Sequence, residues 1–168
     1  KLTDDDGNPL PHDGETFGHL KIKGPTIVAS YFGNEGGEIL DEEGYFDTGD
    51  VAVLHPDGTM QITDRVKDVI KSGGEWINPG EIEAIIGALP GVSLVAVIGR
   101  ADAKWTERPV IIVEGDNAPT DEGIRSALDG NIPRWWMPDA IERVDRMPLA
   151  MTGKIDKQAL RARFGAAP

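Results

Sequence analysis

Lys154 stands in a short run, Met151-Thr152-Gly153-Lys154-Ile155, within a chain of 168 residues that carries 17 Lys and Arg against 29 Asp and Glu. A single amine at such a tip, bordered by apolar side chains, is poorly placed to serve as bulk surface charge. Lysine is a compact, strongly hydrated point charge on a long stem, suited to meeting a phosphate or carboxylate that arrives from elsewhere. Thr48-Gly49-Asp50 offers a second chemistry. Its glycine permits close backbone approach, and the carboxylate after it can accept two hydrogen bonds from a vicinal diol such as a ribose; Gly-Asp is equally ordinary turn chemistry. Asp64-Arg65-Val66-Lys67-Asp68 crowds charges into one short segment. It reads as a solvated linker, or as a site where the rigid fork of Arg65 engages phosphate or ribose oxygens while Lys67 or its neighbours absorb the rotation of a hinge. Lys71-Ser72-Gly73-Gly74-Glu75-Trp76 is a glycine-bearing loop. Ser72-Gly73-Gly74 resembles a phosphate nest but lacks the terminal Gly-Lys-Ser/Thr of a P-loop, which is rejected. The segment fits a narrow channel for a slender ligand, and it fits a tight turn equally.

Composition narrows the classes of partner. Net charge is -12, with no Lys/Arg stripe to offset it, so nucleic acid and anionic membrane surfaces are repelled, and an anionic substrate must be met by locally placed cations. No apolar run approaches the roughly 20 residues of a membrane span, so no transmembrane segment is expected. The opening Lys1-Leu2-Thr3-Asp4-Asp5-Asp6 does not read as a secretory leader. Zero cysteine removes disulfides and thiolate chemistry and fits a reducing compartment; a cytoplasmic location is expected. His12, His19 and His55 have no metal-ligand spacing, and no metal site is expected.

Two differently built halves must position these groups. Residues 1 to about 63 read as short strands and turns: Gly18 to Gly24 alternates like a half-buried strand, and Pro56-Asp57-Gly58 lies at the tip of a hairpin over 51–63. Large apolar residues are few there, so the segment reads as part of a larger β domain. After Asp64 the texture changes. Asn78-Pro79-Gly80-Glu81 carries a cap, a first-turn proline and a glutamate three after the cap, followed by a stripe of Ile82, Ile85, Ile86 and Leu89. Val92–Ile98 and Val110–Val113 are expected strands at central positions, covered by helix on at least one face. Thr120 caps a helix over 121–129, a strand covers Ala140 to Val144, and a last helix runs from about Asp156 to Phe164. Trp105, Trp135 and Trp136 are expected to pack rather than to form a stacking platform. The order βαββαβα predicts a compact α+β domain of about 100 residues. The boundary is expected at 64–68, with residues 1–66 as the β-rich segment and 67–168 as the α+β domain.

Read together, five ordered blocks resemble the C-terminal end of an adenylate-forming (AMP-binding) enzyme, closest to the fatty-acyl-CoA synthetases. They are Tyr45–Asp50, Ile62–Ile77, Asn78–Glu83, Lys104–Pro109 and Thr152–Ile155. The resemblance implies a small mixed or antiparallel sheet with flanking helices, preceded by a β-rich segment from the end of the large N-terminal AMP-binding domain. It implies two half-reactions: a carboxylate and MgATP give an acyl-adenylate, and CoA thiol then displaces AMP. By the same resemblance Asp50 binds the ribose hydroxyls and Arg65 contacts the ribose or phosphate region. Lys67 is the hinge, and Lys154 bridges carboxylate and α-phosphate. Lys71, Ser72, Gly73, Gly74, Glu75 and Trp76 form the loop that replaces Lys154 and lines the CoA channel. ATP, Mg2+ and CoA are the implied ligands, the metal held mostly by the N-terminal region, against which the chain is expected to pack. The expected substrate is a fatty or other apolar carboxylic acid, and the isolated chain is expected to be inactive. An adenylation domain loading a carrier-protein thiol and a noncatalytic α+β interaction module are the competing readings.

Overall fold

The computed structural model describes residues 1–166. The chain divides into two compact units, Lys1–Lys67 and a second beginning at Asp68.

The first unit is a four-stranded antiparallel sheet in the order β1-β2-β3-β4, made of β1 (Leu2–Thr3), β2 (Gly18–Ile22), β3 (Phe46–Leu54) and β4 (Met60–Arg65). Its core is small: Leu2, Leu20 and Ala52 are buried, with Leu10, Ile22 and Leu54 packed around them. Met60 and Ile62 of β4 remain exposed, as does Phe32. The hairpin expected over 51–63 forms, but both strands run further than the sequence pattern suggested. In particular β3 begins at Phe46 and carries Thr48-Gly49-Asp50 inside it, where a turn between elements had been expected.

The second unit has the order ββαββαβα. Strands β5 (Ile70–Ser72) and β6 (Glu75–Ile77) form a hairpin, followed by α1 (Pro79–Gly87), β7 (Leu94–Asp102), β8 (Thr106–Glu114), α2 (Asp121–Leu128), β9 (Ala140–Arg143) and α3 (Lys157–Phe164). The five strands form one mixed sheet, antiparallel along β6-β5-β8-β7, with β9 parallel to β8. The fold class is α+β, as the sequence predicted; the added element is β6.

Helix starts follow the local chemistry. Asn78 accepts from the Gly80 amide and its own amide group donates to Glu81 Oε1, so the cap and the glutamate three residues on are linked side chain to side chain. Thr120 accepts from Gly123 N and Asp156 from Ala159 N, capping α2 and α3. Each cap of this kind stabilises a helix start by about 1 kcal/mol.

Successive residues of β7 and β8 point to opposite faces, and both faces are covered. Val97, Ile111 and Val113 pack with Ile82, Ile86, Ile124 and Leu128 on one side; Ala96, Ile98, Val110 and Ile112 pack with Val144, Met147 and Leu160 on the other. This explains why the strands read as continuous apolar runs. β8 is central, whereas β7 lies at the sheet edge. Two of its amides are nevertheless occupied: Val97 N donates to Glu83 Oε1 at 2.7 Å, and Ala101 N to the Gly165 carbonyl at 2.9 Å. Glu83 is also paired with Lys157 of α3 at 2.8 Å. No helix among the described residues is long and apolar enough to cross a membrane.

Candidate functional site

In the first unit, Asp50 and Arg65 face each other across β3 and β4 and form an ion pair, Arg65 Nη1 to Asp50 Oδ1, at 2.8 Å. Gly49 sits at φ 69 just before the aspartate, in the stretch where the β2–β3 register is interrupted, and its carbonyl accepts from Val66 N at 3.0 Å. The Thr48 hydroxyl donates to the Leu20 carbonyl and accepts from the Asp50 amide, fixing the aspartate's backbone. The Asp50 side chain is 19% exposed and the Arg65 side chain 57%. The aspartate is thus held by the fold, while the guanidinium keeps donors open to solvent. Lys67, at the end of this unit, is exposed.

In the second unit, Lys71 to Trp76 is a β-hairpin whose two-residue turn is Gly73-Gly74, at φ 63 and 89. Positive φ at both central residues is what a type I′ hairpin turn demands. The two glycines differ in surroundings. A Cβ at Gly73 would lie 2.7 Å from Trp105 Cε3, whereas one at Gly74 would meet nothing within 4 Å. Gly73 is therefore required by space and by backbone, Gly74 by backbone alone. The Gly73 amide also donates to the Trp105 carbonyl at 2.8 Å, tying the turn to the β7–β8 hairpin. Lys71 Nζ lies 5.3 Å from the centre of the Trp76 ring.

Around this turn lies a cavity of about 570 Å³, bordered by Ser72, Gly73, Glu75, Trp105, Trp135 and Arg108 with its partner Asp139. Two walls are aromatic and exposed: Trp105 retains 43% and Trp135 41% of its surface. The expectation that these tryptophans pack inward is corrected here. Of the three, Trp136 is the buried one, edge-on to Trp135 with ring centres 5.8 Å apart. Trp105 is presented by a turn that Asp102 caps, its carboxylate accepting from the Lys104 and Trp105 amides at 2.8 Å each. Those amides hold the Asp102 carboxyl below its usual value.

Arg108 was not singled out by sequence. Its guanidinium donates to Ser72 Oγ, to the Trp135 and Met137 carbonyls and to Asp139 Oδ1. It joins three elements under the cavity, so it sets the spacing of the two tryptophans rather than offering free charge to an anion. Its partners, two of them backbone carbonyls, lie 27 or more residues away, which no local spacing announces. The adjacent Thr106 is the one non-glycine residue at positive φ, 72, among the described residues. A β-branched residue there is strained by about 1–2 kcal/mol. Thr106→Asn is expected to raise stability by about 1 kcal/mol, read as a higher denaturant midpoint at unchanged slope. A midpoint that falls would mean the threonine side chain itself holds the turn.

Lys154 is exposed and makes no ion pair or side-chain hydrogen bond among the described residues. Its backbone is not loose. Ala150 N donates to the Lys154 carbonyl at 2.8 Å, Gly153 N donates to the Ala150 carbonyl at 2.9 Å, and Leu149 bridges Ile155. The tip read from sequence is a closed turn, with Met151 fully exposed within it. Lys154 and the Gly73-Gly74 turn belong to the same compact unit and lie on different loops of it. Among the described residues no group of three or more carboxylates or imidazoles gathers to hold a metal ion.

Comparison with known proteins bears on this geometry. Residues 81–154 match the family model of the AMP-binding enzyme C-terminal domain. The chain is 47% identical over 167 residues to a 3-methylmercaptopropionyl-CoA ligase of Ruegeria lacuscaerulensis, covering 98% of this chain and 31% of that protein. It is 41% identical to a medium-chain-fatty-acid–CoA ligase of Ectopseudomonas oleovorans, covering 98% of this chain and 30% of that one. Its fold matches the o-succinylbenzoate CoA synthetase of Bacillus subtilis solved with its acyl-adenylate intermediate, at TM-score 0.83 and 28% identity over 98% of this chain and 34% of the other. The chain spans about a third of the length of the curated relatives it matches. The match places residues 81–154, within the second unit, in the AMP-binding enzyme C-terminal domain family.

Proposed function

We propose that the chain is the portion of an ATP-dependent acid–CoA ligase that exchanges two catalytic loops at one site. The observation that carries this reading is an exposed amine without an ion-pair partner among the described residues, Lys154, held on a closed turn of a unit that also carries the Gly73-Gly74 hairpin. Adenylation brings an anionic carboxylate against a polyanionic phosphate. Two unit charges 4 Å apart repel by about 4 kcal/mol at an effective dielectric of 20, and a cation between them offsets this and the charge developing at phosphorus. Lys154 supplies that cation. Asp50, held by its bulged strand, accepts from the ribose hydroxyls; Arg65, half free of Asp50, turns its remaining donors to the nucleotide.

Thioester formation needs different groups: the amine withdrawn, pyrophosphate gone and a path for the thiol. The hairpin of Lys71, Ser72, Gly73, Gly74, Glu75 and Trp76 provides the wall of that path, and the cavity framed by Trp105 and Trp135 receives the CoA beyond it. Rotation at Lys67 would exchange the two loops, and the boundary between the compact units, which falls in sequence between Lys67 and Asp68, supports this assignment. The Mg2+ that accompanies ATP is assigned no ligand in this chain. CoA is preferred to a carrier-protein thiol as acceptor because the curated relatives named above are CoA ligases.

The test is thioester formation by the full-length protein with a panel of carboxylic acids, ATP, and either CoA or a phosphopantetheinylated carrier protein. AMP release coupled to acyl-CoA formation with fatty or other apolar acids is expected. Acyl transfer to the carrier protein alone would establish the rival acceptor, and absence of any acid-dependent pyrophosphate exchange would reject the enzymatic reading.

A further inference from the structure

Helix α3 begins at Lys157, and its Asp156 cap is two residues beyond Lys154. The helix is therefore the direct support of the turn that carries the amine. Leu160 anchors it in the core, and Lys157 pairs with Glu83 of α1. Its third attachment has no packing rationale of that kind. Arg161 Nη2 donates to Asp68 Oδ1 at 2.6 Å. The aspartate side chain is 13% exposed and the arginine's 31%, so the pair is largely withdrawn from solvent. Asp68 is the first residue of the second unit and follows Lys67 directly.

The two functional loops stand in different relations to this point. The hairpin beginning at Ile70 follows Asp68 by two residues and is connected to it through the backbone. Lys154 lies 86 residues further along the chain, and its supporting helix is joined to the start of the unit by the Arg161–Asp68 bond. A largely desolvated, charge-assisted hydrogen bond is short and directional, and it transmits orientation better than an apolar contact that can slide. We propose that Arg161 and Asp68 form a positioning pair that fixes the Lys154 turn to the segment leaving the hinge, so that rotation at Lys67 delivers the amine in register. The inference rests on the assignments of Lys154 and Lys67 made above. Neither member of the pair touches substrate.

The consequence is selective. Breaking the bond should misplace the amine and leave the hairpin, which follows the hinge through the backbone, in place. In the full-length protein, Arg161→Met is expected to lower the kcat of acid-dependent pyrophosphate exchange about tenfold, as a misplacement on the order of 1 Å can cost. The KM values for ATP and acid should stay within about twofold, and thioester formation from supplied acyl-adenylate should be unchanged. Asp68→Asn preserves size and an acceptor oxygen, and should give a smaller loss in the same step. The exchanged pair Asp68→Arg/Arg161→Asp should recover much of the rate, which a merely structural defect would not do.

Lys154→Ala is measured in parallel. If it abolishes the exchange while Arg161→Met and Asp68→Asn do not alter it, or alter both half-reactions equally, the positioning pair is rejected and the role of Lys154 stands. If Lys154→Ala leaves the exchange intact, the underlying assignment fails instead. Should Arg161→Met not fold, Asp68→Asn and the exchanged pair decide the matter by the same criteria.

Discussion

Lys154→Ala in the full-length protein is expected to slow carboxylate-dependent pyrophosphate exchange by about 10²-fold or more, the loss seen when comparable electrostatic donors are removed. The effect should fall on kcat, because the amine acts on charge that develops between carboxylate and α-phosphate rather than on ground-state binding. Thioester formation from supplied acyl-adenylate should change little, since that step runs with the amine withdrawn. The structure adds a reason to expect a clean result. Lys154 is exposed, and its turn is closed by backbone bonds between Ala150, Gly153 and residue 154 that an alanine retains. Folding should be unaffected. Equal losses in both half-reactions would remove Lys154 from the adenylation step, and an unchanged exchange rate would favour a noncatalytic role for the unit.

The opposite selectivity is expected at Gly73. Gly73→Val places a β-branched residue at φ 63, costing about 1–2 kcal/mol in backbone strain alone, and drives its Cβ to within 2.7 Å of the Trp105 ring. The ring is half exposed and can move, but only by surrendering the wall it forms beside the hairpin. Thioester formation should fall about tenfold with a raised KM for CoA, the magnitude of a misplaced binding wall, while pyrophosphate exchange stays within about twofold. Gly74→Ala serves as the comparison, because it meets no neighbour and carries backbone strain only. If both variants show normal CoA kinetics, the hairpin does not line the thiol's path.

These two loops were visible in the sequence to different degrees. Gly73-Gly74 announced a position with positive φ or close approach, and both demands are present at Gly73. Lys154 was conspicuous as a lone amine beside a glycine. Its rigidity was not, because the bonds that close the turn join backbone groups of Ala150, Gly153 and Lys154 and leave no trace in residue type. The helices were legible at their starts through Asn78, Thr120 and Asp156, whose side chains do the capping locally. The β7–β8 hairpin was read as two shorter strands because its turn contains no glycine. Asp102 supplies the missing turn chemistry by accepting two amides, and strained Thr106 takes the left-handed position.

Trp105 and Trp135 were misassigned for a related reason. Large aromatic residues usually pack, and only the hairpin turn and the 3-10 turn at Arg134–Trp136 lift these two out of the core. Arg108 was hidden altogether, since its role depends on carbonyls brought near by the fold. The ion pair of Asp50 with Arg65 could not be read from their separation of 15 positions, because it depends on the register of β3 with β4.

The partly occupied edge of β7 has a consequence if the second unit swings as proposed. A bare edge strand is a template on which another chain can add a strand, and a unit that leaves its docking surface at every turnover would present such an edge repeatedly. With Glu83 taking the Val97 amide and Gly165 taking that of Ala101, fewer donors remain to nucleate intermolecular pairing. Under the proposed rotation, the Glu83 side chain would let the unit move while exposing fewer free strand donors to other chains.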